Sequence, residues 1–423
     1  MSGSERSYVI YAPTAWHGQF NAAHNFATAL ANRHRVLYVD PALSPLSPIR
    51  YGLRRSSVVQ MRALARRRVR VAGPLKVFSP VVLPPIEHPR MRALSRPLLR
   101  AEVSRAVRQA GLTKPIVLAW HRLGDLRGAV DELLSIGVVM DHPSAAAELI
   151  GLDPEECERQ AAELCAASDV VCSTSSATRE LLNERGWECE LVPFGFPAEL
   201  RGAFDRAVAP PEYATLPRPL LGYTGGIDDR LDYELIVKLA DRFSEGSLVF
   251  VGLMSPRLSS EARAALESRS NIHVVGRRSK AELTGYIRHL DLALLPYKDS
   301  LFTRYQSPLK VWEYFYAGPP IVGTGSAALR SYPPPLVNFA NDASEAVAMA
   351  TRALADPSCG RDERRSFALS NTWDDRAEQL DALVTERLGR RTARAGHVGS
   401  DPWLSTPVEG LGRTEEGDTP FVH

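Results

Sequence analysis

Short runs of consecutive apolar residues alternate along this chain with longer stretches in which apolar positions recur every three or four residues. The first run, YVIYAP at residues 8–13, predicts a strand, and the stretch from about Asn21 to Ala31 an amphipathic helix. RVLYVDP, β-branched and aromatic up to Asp40 and Pro41, predicts a second strand. Residues 41–75 are less regular. SPLSPIRYGLRRSS reads as loop from its prolines, VVQMRALARRRVRV as a short helix feeding a strand, and LKVFSPVVLPP as an extended segment. A helix from about Leu98 to Ala110 precedes the strand PIVLAWH; another helix then leads to the strand GVVMDHP, which ends on Asp141 and His142. Helix PEECERQAAELCAAS, strand DVVCST, helix SSATRELLNERG and strand CELVPFG complete the first half. Apolar strands each followed by a helix predict a parallel sheet covered on both faces.

Residues 205–219, DRAVAPPEYATLPRP, are proline-rich and read as a linker, after which the pattern restarts. Strands LLGYTGGI, SLVFVGL, NIHVVGR, DLALLPY and PIVGT interleave with helices DYELIVKLADRF, KAELTGYIRHL, PLKVWEYFYAG and DASEAVAMATRALAD. The expectation is an α/β chain of two doubly wound, Rossmann-like domains, 1–204 and 220–374. A terminal helix at 375–395 packs back toward the first domain, and 396–423 form a flexible tail without periodicity. Two such domains in series would turn the C-terminal ends of their strands toward one interdomain cleft, where open sheets bind ligands. His17, His121, Asp141, His142, Gly225, Gly226, Lys298 and Glu313 all fall at or near those strand ends.

At 423 residues, with 44% hydrophobic and 24% charged positions, the chain has the composition of an ordinary globular protein of two domains. Its five cysteines show no CxxC spacing and read as reduced structural thiols. No leader and no membrane-length apolar window is evident, so a cytoplasmic location is expected. The net charge of +2 hides one asymmetry: between Pro41 and Ile86 nine basic residues, from Arg50 to Lys76, meet no acidic one. Such a face suits an anionic partner.

The ordered set GYTGGIDDRLDYELIVKLA, VFVG, NIHVVGRRSKAELTGYIRHLDLALLPY and SPLKVWEYFYAGPPIVGT resembles the donor half of GT-B glycosyltransferases, specifically the group-1, family-4-like sugar transferases. WHGQFNAAHNFATALANRHRVLYVDP and SDVVCSTSSATRELLNERG fit the same family, and the resemblance covers about residues 8 to 385. It implies a carboxyl-terminal domain that binds a nucleotide-diphosphate sugar and an amino-terminal domain that binds most of the acceptor. Transfer would proceed with retention at the anomeric carbon, with no cofactor beyond the sugar nucleotide.

Carried over residue by residue, the resemblance makes Glu313 the helix-borne carboxylate that accepts from the ribose hydroxyls, a task suited to a pure acceptor. Many members carry a second glutamate eight positions earlier; Tyr305 stands there in this chain. Donor-sugar recognition therefore shifts to Gln306 and to the backbone of Ser307, Pro308 and Leu309. Lys310, in the first helical turn, is a candidate for the diphosphate or for the nucleobase side, and Arg230 for phosphate or for a surface charge at a helix start. Gly225 and Gly226 permit a tight turn beside a nucleotide, and Gly18 faces the diphosphate from across the cleft. Of the neighbours Asp141 and His142 one reaches the sugar, with His142 slightly favoured. On the acceptor side Trp16 stacks on a sugar or fills the wall, His17 bonds acceptor or phosphate, and His121 lines the cleft or satisfies the core edge. No DxD and no clustered histidines occur, so metal-independent chemistry is the expectation.

The resemblance specifies a hydroxyl-bearing acceptor only as a glycan, a lipid-linked sugar or a natural product. The basic 50–76 stretch would meet an anionic membrane surface, a lipid-linked acceptor or simply solvent; it lacks a long amphipathic helix, and no nucleic-acid module accompanies it. Sugar-nucleotide 2-epimerisation or hydrolysis on the same fold is the enzymatic alternative. A non-catalytic nucleotide-sugar-binding protein is the other.

Overall fold

A computed structural model of the chain describes residues 5–17, 21–44, 69–83, 89–120, 125–150 and 153–398. Residues through Asp381 form one compact unit that holds two sheets; a second unit begins at Ala382. The first sheet contains β1 (Ser7–Tyr11), β2 (Arg35–Val39), β3 (Arg70–Ala72), β4 (Leu75–Phe78), β5 (Ile116–Ala119), β6 (Leu134–Val139), β7 (Val170–Ser173) and β8 (Cys189–Leu191). The second contains β9 (Leu220–Thr224), β10 (Ser247–Val251), β11 (Ile272–Val274), β12 (Leu292–Pro296), β13 (Ile321–Thr324) and β14 (Asn338–Phe339).

Strand order is β3-β4-β2-β1-β5-β6-β7-β8 in one sheet and β11-β10-β9-β12-β13-β14 in the other. All pairs are parallel except β3 with β4. In each sheet the direction of winding reverses once, between β1 and β5 and between β9 and β12, and a crevice opens there beyond the carboxyl ends of the strands. The parallel strands carry no polar face, because helices cover both sides: β1, β5, β6, β9, β10, β12 and β13 are buried almost throughout.

Several elements depart from the sequence expectation. The helix expected at Leu98 begins at Pro89 and accommodates Pro97 within it. No α-helix occupies 126–133; positive φ at Gly128 and Asp131 breaks the apolar periodicity there into turns. Helices Ser260–Glu267, Leu301–Tyr305 and Ala327–Arg330 were not legible as such, two of them being shorter than a periodicity test can resolve. The final helix, Trp373–Val398, starts two residues before the expected 375 and extends past 395. Within its first turns Asp374 accepts from Asn32 Nδ2, and Asp381 accepts from Tyr8 Oη at 2.9 Å and pairs with Arg6. The tail from residue 399, and residues 45–68 of the basic stretch, lie outside the described residues. Of that stretch, Arg70 donates to Ser79 Oγ and Lys76 to Ala110 O. Among the described residues no helix is long and apolar enough to cross a membrane.

The helix Lys310–Ala317 follows a predicted course. Gly318, at φ 91°, ends it in the left-handed conformation, with its N–H returned to Tyr314 O at 2.9 Å. Pro319 and Pro320 then prevent continuation, and Ile321 opens β13. The freed Gly318 carbonyl is taken by Arg364, whose guanidinium is 1% exposed and also donates to Pro335 O and Cys359 O. Burial pushes its pKa down to about 10. Replacing it by methionine strands three carbonyls, so Arg364→Met is expected to cost about 2–4 kcal/mol in chemical denaturation. A loss below about 0.5 kcal/mol, the range of neutral surface changes, would contradict this account of the helix end.

Candidate functional site

The carboxyl end of β9 runs into a turn whose geometry excludes any side chain. Gly225 has φ 137°, and a Cβ placed on it would lie 2.4 Å from Lys310 Nζ. Gly252 approaches the same turn so closely that its Cβ would fall 1.7 Å from Gly225 O. Lys310 Nζ fills the space these glycines leave. It donates to Tyr223 Oη at 2.7 Å and Tyr297 Oη at 3.1 Å, and sits 4.0 Å from the centre of the Tyr223 ring. Burial pushes the lysine down to about 7; Arg230 adds to the shift, and Asp228 and Glu313 oppose it. Arg230 is gripped by Asp228 through two bonds of 2.7 and 2.6 Å and lies over the Phe302 ring.

The opposite side of the turn is the start of helix Lys310–Ala317. Leu309 caps it without a side-chain hydrogen bond, and the Val311 and Trp312 amides donate back to Pro308 O and Leu309 O, each at 3.3 Å. Ahead of it, Ser300 and Thr303 close a capping box on the short helix Leu301–Tyr305, and Gln306 is extended. Ser175 Oγ donates to Tyr305 O at 3.1 Å and Ser326 Oγ to Gln306 O at 2.8 Å, pinning the two carbonyls from either side. Gln306 Oε1 is buried and has no hydrogen-bond partner among the described residues. Three residues after Lys310, Glu313 projects from the same helix face. Burial raises its pKa, and Lys280 and Lys310 pull it back. Tyr314, one position on, locks the helix to β9 by accepting from Thr224 N at 2.8 Å.

These groups line a cleft of about 500 Å³ with Asn21, Ala22, Asn25, Met140, Asp141, Phe194, Gly195, Pro197 and Trp373 from the first-sheet side. Asp141 follows β6; burial raises its carboxyl to about 6 against the pull of Arg230. His142, favoured from sequence, does not line the cleft. It is 8% exposed, with Nδ1 3.1 Å from Ser144 Oγ and 3.8 Å from Glu158 Oε1, and its ring meets Tyr305 edge-on at 4.9 Å. Adjacent residues leaving a strand point apart, and here the aspartate takes the cleft side.

Trp16 and His17 also fall outside that lining. The Trp16 ring packs on His24 and Tyr38, and the Trp16 backbone N–H donates to Asp40 Oδ1. His17 is exposed, 3.3 Å from Arg70 Nη1. Lys298 is exposed as well. Gly18 and His121 lie outside the described residues. Gly225, Gly226, Arg230, Gln306, Ser307, Pro308, Leu309, Lys310 and Glu313 come together as one wall.

Sequence reasoning missed Arg278, Lys280, Asn21, Asn25 and Trp373. Arg278 and Lys280 follow β11, and the basic cluster after NIHVVG was a usable signal. Trp373 begins the last helix, and nothing local in sequence marks its return beside Phe26 and Phe194. Larger depressions of about 670 Å³ beside the linker and about 770 Å³ at Arg92 and Asp125 lack a glycine turn and an open helix start. Among the described residues no group of three or more His, Cys, Asp or Glu is arranged to hold a metal ion.

No family model matches the chain. A curated relative, TuaH of Bacillus subtilis (strain 168), named for glycosyltransfer in teichuronic acid biosynthesis, is 28% identical over 118 residues. That match spans 28% of this chain and 30% of the relative. Among solved structures, the α,α-trehalose 6-phosphate synthase of Burkholderia multivorans superposes with a TM-score of 0.62 at 14% identity, covering 93% of this chain and all of the other. AviGT4, a glycosyltransferase of avilamycin A biosynthesis, superposes at 0.55 with 16% identity, covering 91% of this chain and 98% of its own. The chain has the GT-B fold.

The buried amine yields a direct test. In ¹⁵N-detected NMR, Lys310 Nζ is expected to titrate near 7, and Arg230→Gln, which removes a repelling cation, is expected to raise that value. A midpoint above about 9.5, close to that of a free lysine, would contradict burial of the amine.

Proposed function

We propose that this GT-B chain is a glycosyltransferase that moves a sugar from a nucleotide-diphosphate donor to a hydroxyl of a glycan, lipid-linked or natural-product acceptor. The single observation carrying this reading is that Lys310, the Gly225 turn and Glu313 share one wall of one cleft at the switch point of the second sheet. A diphosphate lying against Gly225 and Gly226 would meet the Lys310 and Arg230 cations and the backbone N–H groups of Ser307, Leu309 and Lys310. The ribose would then reach Glu313, and the sugar would extend toward Asp141 and Gln306 Oε1, which awaits a donor. The names of TuaH and AviGT4 support glycan or natural-product acceptors.

Chemically, breaking the anomeric C–O bond leaves negative charge on the β-phosphate oxygen, and two fixed cations beside a helix start stabilise it without reorganising. We favour retention: the departing phosphate oxygen takes the acceptor proton on the face it leaves, and the enzyme contributes alignment. Metal-independent turnover follows, because Lys310 and Arg230 supply the required charge. Asp141, a carboxyl with a pKa of about 6 inside the cleft, favours a second reading in which it serves as the base of an inverting transfer.

The test is a panel of nucleotide sugars and acceptors with products followed by mass spectrometry and anomeric NMR. Acceptor-dependent product, unchanged by chelator and reduced about 100-fold by Glu313→Ala through loss of two hydrogen bonds to a charged group, is the expected result. Retained anomeric configuration is expected with it. Product formed without acceptor would instead mark an epimerase or hydrolase, and donor binding without turnover a binding protein.

A further inference from the structure

Lys310 is held by side chains that neither the glycine turn nor the ribose carboxylate requires. Tyr223 occupies the fourth position of β9, is 0% exposed, and donates its hydroxyl proton to Gly226 O at 2.9 Å. Its oxygen is thereby committed as an acceptor, and the proton it accepts is that of Lys310 Nζ. Tyr297 follows β12, the strand on the other side of the switch point, is 1% exposed, and accepts from the same nitrogen. The two phenols thus come from the two strands that border the crevice. The charged groups facing the amine are Arg230 and Asp228 from the loop after β9 and Glu313 from its own helix. No carboxylate lies within ion-pair distance of Lys310 among the described contacts, so neutral oxygens alone aim it, and one N–H of the ammonium is left for a ligand.

We propose that Tyr223 and Tyr297 are positioning residues for the donor: their phenol oxygens orient the Lys310 ammonium at the glycine turn, so that the diphosphate completes its hydrogen-bond set. This inference rests on the reading of the cleft as a nucleotide-sugar site. Tyr223 does more than hold the lysine, because its own proton fixes the Gly226 carbonyl. Turn and cation are set by one side chain, and the distance between them does not depend on the ligand. Binding of the diphosphate to the unprotonated lysine requires a proton to be taken up, and each phenol favours the protonated form by accepting from it.

The experiment uses the full chain and calorimetric titration with uridine, guanosine and thymidine diphosphates between pH 6 and 9. The tightest binder is carried through Tyr223→Phe, Tyr297→Phe and Lys310→Met, with thermal melts to verify folding. Native protein is expected to lose affinity as pH rises above about 7, with proton uptake seen as a buffer-dependent heat. Lys310→Met removes that pH dependence. Each phenylalanine variant, which keeps the ring but loses the acceptor, is expected to bind about tenfold more weakly at pH 7.5 and to begin its decline at least about half a pH unit lower. If one variant fails to fold, the other carries the test. Phenylalanine variants that bind as tightly as native protein, or equally weakened at every pH, overturn the positioning role while a Lys310→Met defect leaves the diphosphate reading standing. Native affinity in Lys310→Met, or no binding of any diphosphate, overturns that reading instead.

Discussion

A primary amine enclosed by two phenols and a side-chain-free turn is the constraint around which the second sheet's cleft is organised. Any Cβ at Gly225 would collide with Lys310 Nζ, and any at Gly252 with the Gly225 carbonyl, so strand ends, turn and helix start can approach only as they do. The lysine cannot withdraw, because its helix is tied to β9 through Tyr314 and Thr224 and stopped behind by Gly318 and Arg364. Enclosure costs the ammonium its hydration, which explains why its pKa falls toward neutrality and leaves an imbalance that an anionic ligand would relieve. Arg230, held rigid by Asp228, sharpens that imbalance from the same side.

Much of this was legible in the chain because parallel strands buried on both faces are continuous apolar runs, and nearly every such run formed a strand. The helix stop at Gly318 and the cleft-lining run from Gln306 to Glu313 were readable for a related reason: their residues are contiguous, so local spacing carries the geometry. Legibility failed where direction mattered more than position. Asp141 and His142 are neighbours at one strand end, and only tertiary packing decides that the histidine turns to Ser144 and Tyr305 while the aspartate enters the cleft. Trp16 read as a sugar platform or as a filler of the cleft wall, but its ring packs on Tyr38 and His24 instead. Trp373 reaches the cleft through long-range packing that no local pattern encodes, whereas Lys280 belongs to the basic cluster that follows β11.

Tyr305 gains a structural meaning from the same comparison. Where the resembled family carries a second glutamate, this chain turns an aromatic ring toward His142, and the Tyr305 carbonyl is held by Ser175 from the helix start after β7. The segment at Tyr305 therefore links the two sheets. The Gln306 Oε1 acceptor beside it is buried without a partner among the described residues. A neutral amide in place of a carboxylate changes the charge offered to the sugar, and donor preference would follow that charge.

The central claim is that one wall of the cleft reads a nucleoside diphosphate from phosphate to ribose. A structure of the chain soaked with the nucleoside diphosphate that binds it would test this most directly. The expected result is the β-phosphate within hydrogen-bond distance of Lys310 Nζ, the diphosphate against Gly225 and Gly226, and both ribose hydroxyls on Glu313. A nucleotide seated at the linker or at the Arg92 depression, or one in the cleft with its ribose away from Glu313, would contradict it.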